Sequence, residues 1–126
     1  MPLTELLVFR HENGRVPIEE WLDALPAKAQ AKCLYYMRLL SVFGHDLRRP
    51  VAGSLRDGIY ELRPSHQGVQ YRVLYFFHGQ DVVVLSHGIT KDQKVPDAEI
   101  RRAIQRKRLV SADPGRYTTK LTPKEV

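Results

Sequence analysis

The chain has 126 residues, of which 43% are hydrophobic, which is enough for the core of one domain and too little for two. No apolar run approaches the length of a membrane span, and the N-terminus lacks a basic-then-apolar signal pattern, so we expect a cytoplasmic protein. Cys33 is the single cysteine, which excludes an internal disulfide framework and favours a buried structural thiol over a nucleophile.

The positive charge is concentrated after residue 44. Lys and Arg number 20 against 14 Asp and Glu, giving a net charge of +6 and a pI near 9.7. Residues 1–44 carry five basic and five acidic side chains, whereas residues 45–126 carry fifteen and nine. This one-sided field suits a polyanionic partner such as nucleic acid, while a surface that only keeps the protein soluble is the alternative.

The first part of the chain predicts one strand and two helices. Residues 4–10, TELLVFR, are rich in β-prone side chains and predict the first strand. A short helix follows Pro17, with an apolar face at the helical spacing Ile18, Trp21, Leu22 and Leu25. A longer helix runs from Pro26 to about Phe43, before Gly44. Two helices so closely joined form a hairpin that can cover one face of a sheet.

Residues 59–90 predict the central antiparallel sheet. Strand signals lie at residues 51–55, 59–63, 69–77 and 82–86, and Arg56-Asp57-Gly58 is a tight-turn signal between the first two. In the longest strand, Tyr71, Val73, Tyr75 and Phe77 alternate with Gln70, Arg72, Leu74 and Phe76. Arg72 is therefore a charged residue in an apolar strand, and its guanidinium requires either an ion pair with Glu61 on the neighbouring strand or a bound phosphate.

The rest of the chain predicts a basic helix and a tail. Ala98 to Arg108 have helical spacing after Pro96, and residues 111–126 contain few apolar side chains. The predicted fold class is α+β, with an N-terminal strand and a two-helix hairpin packed on a small antiparallel twisted sheet, followed by a C-terminal basic helix. We expect one domain over residues 1–110 and a polar, loosely structured tail over residues 111–126.

Basic side chains gather around the predicted strand ends. The sequence contains no metal-ligand spacing, no Gly-rich phosphate loop and no nucleophile elbow, so it predicts neither a metal nor a cofactor. The candidate site residues are Arg63, Arg72, Lys91 and Lys94, with His87 and Glu61 nearby. RNA cleavage without a metal requires activation of the 2′-hydroxyl, neutralisation of the pentacoordinate phosphate and stabilisation of the leaving 5′-oxygen. This set of side chains is consistent with that chemistry.

Three segments carry a family resemblance: DGIYELR at residues 57–63, YRVLYFF at 71–77 and VVVLSHGITKDQKVP at 82–96, followed by a basic helix. They resemble the RelE/ParE toxin superfamily, in particular its phage-derived HigB-like branch, over residues 4–108. The resemblance implies a RelE-like fold and a ribosome-dependent mRNA endonuclease that cuts mRNA in the ribosomal A site. It further implies mRNA and ribosomal RNA as partners, and an antitoxin of the helix-turn-helix, HigA-like type through which operator DNA would be bound.

The resemblance also suggests roles for individual residues. Arg72 matches the strand arginine that binds phosphate in the superfamily, Arg63 a basic residue on the preceding strand, and Lys91 and Lys94 the basic residues after the last strand. Glu61 stands where some members have a lysine and is expected to orient Arg72, and His87 lies near a position where several members have histidine. Contacts to RNA or the ribosome are expected from further basic residues, which are Arg48, Arg49, Arg56, Arg101, Arg102, Arg106, Lys107 and Arg108.

One departure from the superfamily concerns base stacking. Classical RelE members place a tyrosine near the C-terminus against an A-site base, and here no tyrosine follows Lys94 before Tyr117. Two other functions remain as alternatives: a ParE-like gyrase inhibitor, which shares the fold without the nuclease residues, and a non-catalytic nucleic-acid-binding module, for which the basic helix would suffice.

Overall fold

In the computed structural model, which describes residues 3–90 and 94–122, helices pack on both faces of one mixed sheet. The described strands are β1 (Glu5–Phe9), β2 (Ala52–Arg56), β3 (Ile59–Leu62), β4 (Ser65–His66), β5 (Val69–His78), β6 (Val82–Thr90) and β7 (Thr118–Lys120). The described helices are α1 (Pro17–Asp23), α2 (Ala27–Phe43), α3 (Asp97–Ala112) and α4 (Pro114–Tyr117), with a 3₁₀ turn at Gly44–Asp46. The predicted α+β class is confirmed.

The helix boundaries follow the signals in the sequence. Pro17 occupies the first turn of α1, where its missing N–H costs no hydrogen bond, and Pro26 precedes α2. Gly44, at φ +51°, ends α2 in a backbone conformation that side chains rarely adopt. Helix α3 extends to Ala112, beyond its predicted end at Arg108. Among the helices that the structure describes, none is both long and apolar enough to cross a bilayer.

The sheet combines antiparallel and parallel pairing. The strand order is β2-β3-β5-β6-β1-β7, with β4 paired to β5. The antiparallel pairing predicted for the central strands is confirmed, because β2 pairs with β3, β3 with β5, and β5 with β6. Strand β1 adds parallel pairing, with Leu6 opposite Val83 and Val8 opposite Leu85 of β6. A parallel neighbour requires a crossover connection, which is possible here because β1 and β6 are far apart in the sequence.

Two tight turns set the register of the central strands. Asp57 and Gly58 connect β2 to β3 with φ of +54° and +79°, as the sequence predicts from its Asp-Gly signal. Gln67 and Gly68 connect β4 to β5 with φ of +52° and +80°. Positive φ at both central residues is typical of type I′ turns, whose twist matches that of the strands they join.

Side chains on the two sides of the sheet enter separate apolar clusters. Tyr71, Val73 and Tyr75 of β5 pack with residues of α1 and α2, which confirms that the helical hairpin covers this face. Leu74 and Phe76 pack on the opposite side, against α3. Cys33 of α2 is fully buried, as predicted, and burial raises the pKa of its thiol to about 12.

Residues 111–120 continue the fold, which corrects the expectation of a loose tail beginning at residue 111. Ser111 and Ala112 complete α3, α4 follows, and β7 pairs antiparallel with β1, with Val8 opposite Thr119 and Phe9 opposite Thr118. Asp113 accepts a hydrogen bond from the backbone N–H of Arg116 and so caps α4. The last four residues of the predicted tail, 123–126, lie outside the described part of the chain.

Candidate functional site

Four of the predicted site residues line one cleft. Glu61, Arg63, Arg72 and Lys94 surround a volume of about 270 Å³, which we call the arginine cleft. The remaining lining side chains are Leu55, Arg56, Val95 and Ile100. The cleft therefore combines several cations and one carboxylate with an apolar wall, a composition that suits an anionic ligand carrying an apolar part.

The sheet register brings Arg72 and Glu61 together. Glu61 of β3 lies opposite Leu74 of β5, so Arg72 is its diagonal neighbour on the same side of the sheet. The Nε of Arg72 is 3.2 Å from Oε1 of Glu61, and only 6% of the arginine side chain and 14% of the glutamate side chain are exposed. The Nη1 of Arg72 also donates to Oε1 of Gln70 at 3.2 Å and to the carbonyl oxygen of Tyr71 at 2.8 Å. The structural ion pair, one of the two partners expected for Arg72, is thus present.

Helix α3 determines how much of this face is open. Helix α3 packs against Leu74, Phe76 and Ile59 and so covers part of the side of the sheet that carries Arg72 and Glu61. Burial of these apolar side chains stabilises the helix in that position, and it also buries the stem of Arg72. Arg72 lines the arginine cleft, through which an external ligand can reach it.

The other basic residues of the cleft are more accessible. Arg63 is half-buried directly after β3, and its backbone N–H donates to the carbonyl oxygen of Val51 at 2.9 Å. Lys94 is exposed and precedes the buried Val95, which packs with the α3 cluster. Lys91, which was predicted beside them, lies outside the described residues.

His87 is not in the arginine cleft. It lines a second depression of about 600 Å³, the histidine groove, together with Trp21, Thr90, Glu99, Arg102 and Arg106 among others. The Nε2 of His87 is 3.0 Å from Oε1 of Glu99, and its Nδ1 is 2.7 Å from Oγ of Ser86. His87 thus connects β6 to α3, and it lines a different depression from Glu61, Arg63, Arg72 and Lys94.

The environment of His87 favours its neutral form. Burial lowers the pKa of the imidazole, and the positive charges of Arg106 and Arg102 lower it further, while Glu99 acts in the opposite direction. A neutral ring with Nε2–H donating to the carboxylate of Glu99 accepts at Nδ1 from the hydroxyl of Ser86. Both ring nitrogens are then occupied by partners in the fold.

The basic helix contributes a third depression. Arg56, Arg101, Lys107 and Arg108 line a groove of about 590 Å³ with Asp57, Ile104 and Ser111, which we call the helix groove. Arg56 is held at 2.6 Å by the carboxylates of both Asp57 and Asp97, and Arg101 is 2.9 Å from Asp97. The hydrogen bond from Arg56 holds the pKa of Asp97 below its usual value. Four of the residues predicted to contact RNA are therefore gathered at one place, and Arg56 lines the arginine cleft as well.

The remaining predicted RNA contacts lie elsewhere. Arg48 and Arg49 are exposed before β2, and Arg102 is exposed in the histidine groove, 2.7 Å from Glu99. Arg106 is partly buried, since its guanidinium lies 5.0 Å from the centroid of the Phe9 ring and Nη1 donates to the carbonyl oxygen of Ser86 at 3.2 Å. Burial lowers the pKa of Arg106 to about 10, so it remains cationic at neutral pH.

Sequence reasoning missed several residues that complete these sites. Gln70 was noted only as a member of a strand face, yet its side chain binds Arg72. Glu99 and Ser86 hold His87, and no local pattern indicates this, because Glu99 belongs to α3 and reaches β6 only after the helix has packed. Within residues 3–90 and 94–122, no three His, Cys, Asp or Glu side chains are grouped in a way that would hold a metal ion.

Comparison with known proteins identifies the family. The family described as "Phage derived protein Gp49-like (DUF891)" matches residues 20–108, a span that includes every residue lining the arginine cleft. The chain belongs to this phage-derived Gp49-like family. Two curated relatives, each named "Probable endoribonuclease HigB1", come from Mycobacterium tuberculosis strains CDC 1551 / Oshkosh and ATCC 25618 / H37Rv. Each is 31% identical over 97 residues, which cover 77% of this chain and 76% of the relative.

These matches confirm the resemblance to the HigB-like branch. The Gp49-like family match includes α2, strands β2 to β6 and residues 97–108 of α3, and it therefore covers β2, β3, β5 and the part of α3 that line the arginine cleft. Strand β1 and the segment containing α4 and β7 fall outside that match.

Proposed function

We propose that this Gp49-like protein is the toxin of a type II toxin–antitoxin system, and that it is a metal-independent, ribosome-dependent endoribonuclease that cleaves mRNA in the A site. The observation that carries the proposal is the grouping of Arg63, Arg72 and Lys94 with Glu61 around one cleft. The names of the two HigB1 relatives support ribonuclease activity in particular.

The cleft residues suit the steps of RNA cleavage. The 2′-hydroxyl loses its proton to a base and attacks the adjacent phosphorus, which forms a cyclic phosphate as the bond to the 5′-oxygen breaks. Arg63 and Arg72 would neutralise the charge on the pentacoordinate phosphate, and Lys94 would give a proton to the leaving oxygen. Among the described residues, Glu61 is the carboxylate that lines the cleft, and it would either accept the first proton or hold Arg72 in place. Lys91 remains a proposed member of this site.

His87 has a different role in this proposal. It contacts Ser86 and Glu99 in the histidine groove, so it would act as a positioning residue that holds α3 on β6 rather than contact the reacting atoms. The exposed cations Arg48, Arg49, Arg56, Arg101, Arg102 and Arg108, with Arg106 and Lys107, would bind mRNA and ribosomal RNA through their phosphates. The cognate partner would be a HigA-like helix-turn-helix antitoxin, through which operator DNA is bound.

Primer extension on cellular mRNA after induction tests the proposal. We expect cuts within translated codons, and loss of these cuts in Arg63→Ala and Lys94→Ala. Lys120→Ala, which removes an exposed cation of β7 outside the cleft, is the matched control and should cut like the parent chain. Metal dependence is tested by replacing Mg²⁺ with polyamines, and cleavage by a metal-independent enzyme should persist.

Two outcomes would contradict the proposal. Intact mRNA together with a DNA-damage response would instead identify a ParE-like gyrase inhibitor. Intact mRNA with normal translation and growth, combined with RNA binding that depends on Arg101 and Arg108, would identify a non-catalytic nucleic-acid-binding module.

A further inference from the structure

The outward face of α2 combines exposed apolar side chains with positive charge. Tyr35, Val42 and Phe43 are 57%, 51% and 51% exposed, and the partly buried Leu39 lies between them in the sequence. Exposed large apolar side chains are ordinary when they are scattered singly, whereas a continuous group of them is typical of a binding surface. Such a surface requires that these residues share one face of the helix.

Their spacing places them in one stripe. Positions 28, 32, 35, 39 and 42 repeat at intervals of four and three residues, which aligns side chains along one side of a helix. We define the α2 stripe by these positions and their neighbour: Lys28, Lys32, Tyr35, Leu39, Val42 and Phe43. The opposite side of α2, formed by Ala29, Cys33, Met37 and Leu40, is buried in the core, so the stripe is directed away from the sheet.

The apolar end of the stripe continues onto the N-terminal segment. The backbone N–H of Thr4 donates to the carbonyl oxygen of Ser41 at 3.0 Å, and the hydroxyl of Ser41 donates to the carbonyl oxygen of Thr4 at 2.9 Å. These two bonds hold Leu3, which is 65% exposed, next to the end of α2. A further exposed apolar side chain therefore lies close to the C-terminal end of α2.

The charge of the stripe indicates what covers it. Helix α2 carries Lys28, Lys32 and Arg38 and contains no acidic residue, so its exposed side is purely positive. If two copies packed symmetrically through α2, the cations of one copy would face apolar or positive side chains of the other. The helix carries no acidic residue that could pair with them. A helix with acidic residues at one end and apolar residues along the same face would match both parts of the stripe.

We infer that the α2 stripe binds an acidic amphipathic helix of the protein partner, which under the proposed function is the cognate antitoxin. The identity of the partner rests on the proposed function, whereas the surface and the chemistry of its ligand do not. The stripe belongs to the side of the sheet covered by the helical hairpin, and the arginine cleft belongs to the side covered by α3. A partner helix docked on the stripe would therefore not cover the residues of the cleft.

Binding of the antitoxin encoded beside this chain tests the inference. The probe is the purified protein from the adjacent gene, measured by calorimetry with the full chain recovered from the co-expressed complex. Tyr35→Ser and Val42→Ser are each expected to weaken binding about tenfold or more, because truncated anchors at the centre of an interface have effects of this size. Val69→Ser is the matched control, since Val69 is an exposed valine, 40% accessible, outside the stripe. It should change the affinity less than twofold.

The two lysines of the α2 stripe allow a second, independent test of the inference. Replacing both lysines, as Lys28→Glu with Lys32→Glu, should weaken binding and remove much of its dependence on salt, whereas Lys120→Glu should do neither. Unchanged affinity in Tyr35→Ser and Val42→Ser, or absence of binding by the parent chain, would overturn the inference. A monomer–dimer equilibrium of the isolated chain that is abolished by Val42→Ser would also overturn it, in favour of a second copy.

Growth arrest separates this inference from the proposed function. Expressed without the antitoxin, Tyr35→Ser and Val42→Ser should arrest growth as the parent chain does and should no longer be neutralised when the antitoxin is supplied. Failure of the parent chain to arrest growth contradicts the proposed function, while the binding measurements still decide whether the stripe is the docking surface.

Discussion

Arg72 and Glu61 form a buried ion pair between β5 and β3, with Nε of the arginine 3.2 Å from Oε1 of the glutamate. The pair occupies the inner wall of the arginine cleft, so the same contact supports the fold and positions a cation for the proposed chemistry. Because both side chains are largely buried, removing either one leaves the other without its ion-pair partner.

A single substitution in the Arg72–Glu61 pair should lower the stability of the fold more than the substitution of both residues. We expect Arg72→Ala to lower the free energy of unfolding by about 3 kcal/mol, because the carboxylate of Glu61 is left buried without its partner. The double variant Arg72→Leu with Glu61→Leu should recover most of that loss and remain inactive in RNA cleavage. Urea unfolding of Arg72→Leu, of Glu61→Leu and of the double variant measures the coupling. Additive effects would show that the two residues do not stabilise each other.

Stability should fall with acid through His87. Burial lowers the pKa of His87 from 6.5 to about 4, so below pH 6.5 the unfolded chain takes up a proton that the folded chain does not. The contribution of this residue is therefore complete above pH 6.5 and is lost as the pH falls to about 4. Thermal unfolding of His87→Gln should show a shallower decline over this interval than the parent chain. His66→Gln, at a half-buried histidine outside the histidine groove, controls for the substitution itself.

Gly88 should tolerate no side chain. A Cβ at this position would overlap the indole ring of Trp21, whose Nε1 donates to Oγ1 of Thr90 at 3.0 Å. We expect Gly88→Ala to destabilise the protein by roughly 1–3 kcal/mol, because the ring is held between α1 and β6 and must move. Gly115→Ala is the matched control, since a Cβ there meets no atom within 4 Å. Equal melting temperatures for the two variants would contradict the packing described for Trp21.

The helix groove should bind RNA mainly through charge. Arg101→Ala and Arg108→Ala should each weaken RNA binding for all sequences and reduce the slope of log affinity against log salt by about 1. Fluorescence anisotropy with a labelled single-stranded RNA at several salt concentrations measures both quantities. Arg15→Ala serves as the control, because Arg15 is an exposed arginine outside this groove that pairs with Glu20 at 2.8 Å. An unchanged slope in all variants would place the RNA elsewhere.

The sequence predicts local features of this fold well because their causes are local. The alternation in β5 correctly separates Tyr71 and Tyr75 from Leu74 and Phe76, and the signal at Asp57 and Gly58 correctly gives the turn before β3. The adjacency of Arg72 and Glu61 follows from the register of two strands that are close in sequence.

Features that depend on segments far apart in the chain could not be predicted from local sequence patterns. The parallel pairing of β1 with β6, and the use of Thr118–Lys120 as a strand, depend on partners at opposite ends of the chain and on a short polar segment without an apolar pattern. The separation of His87 from the arginine cleft depends on how α3 packs, since Glu99 determines which way the imidazole is held. Contacts between neighbouring strands could therefore be predicted from the sequence, whereas contacts that depend on the packing of α3 could not.

The position of β1 affects the order in which the protein can be made. Strand β1 lies between β6 and β7, so it is hydrogen-bonded on both sides to strands that are synthesised after it. In a nascent chain, residues 5–9 stay unpaired until β6 has emerged from the ribosome. The other edge of β1 stays open until residues 118–120 have emerged as well. Completion of the sheet thus waits for residues 118–120, and polypeptides that terminate before them carry an exposed edge available to other chains.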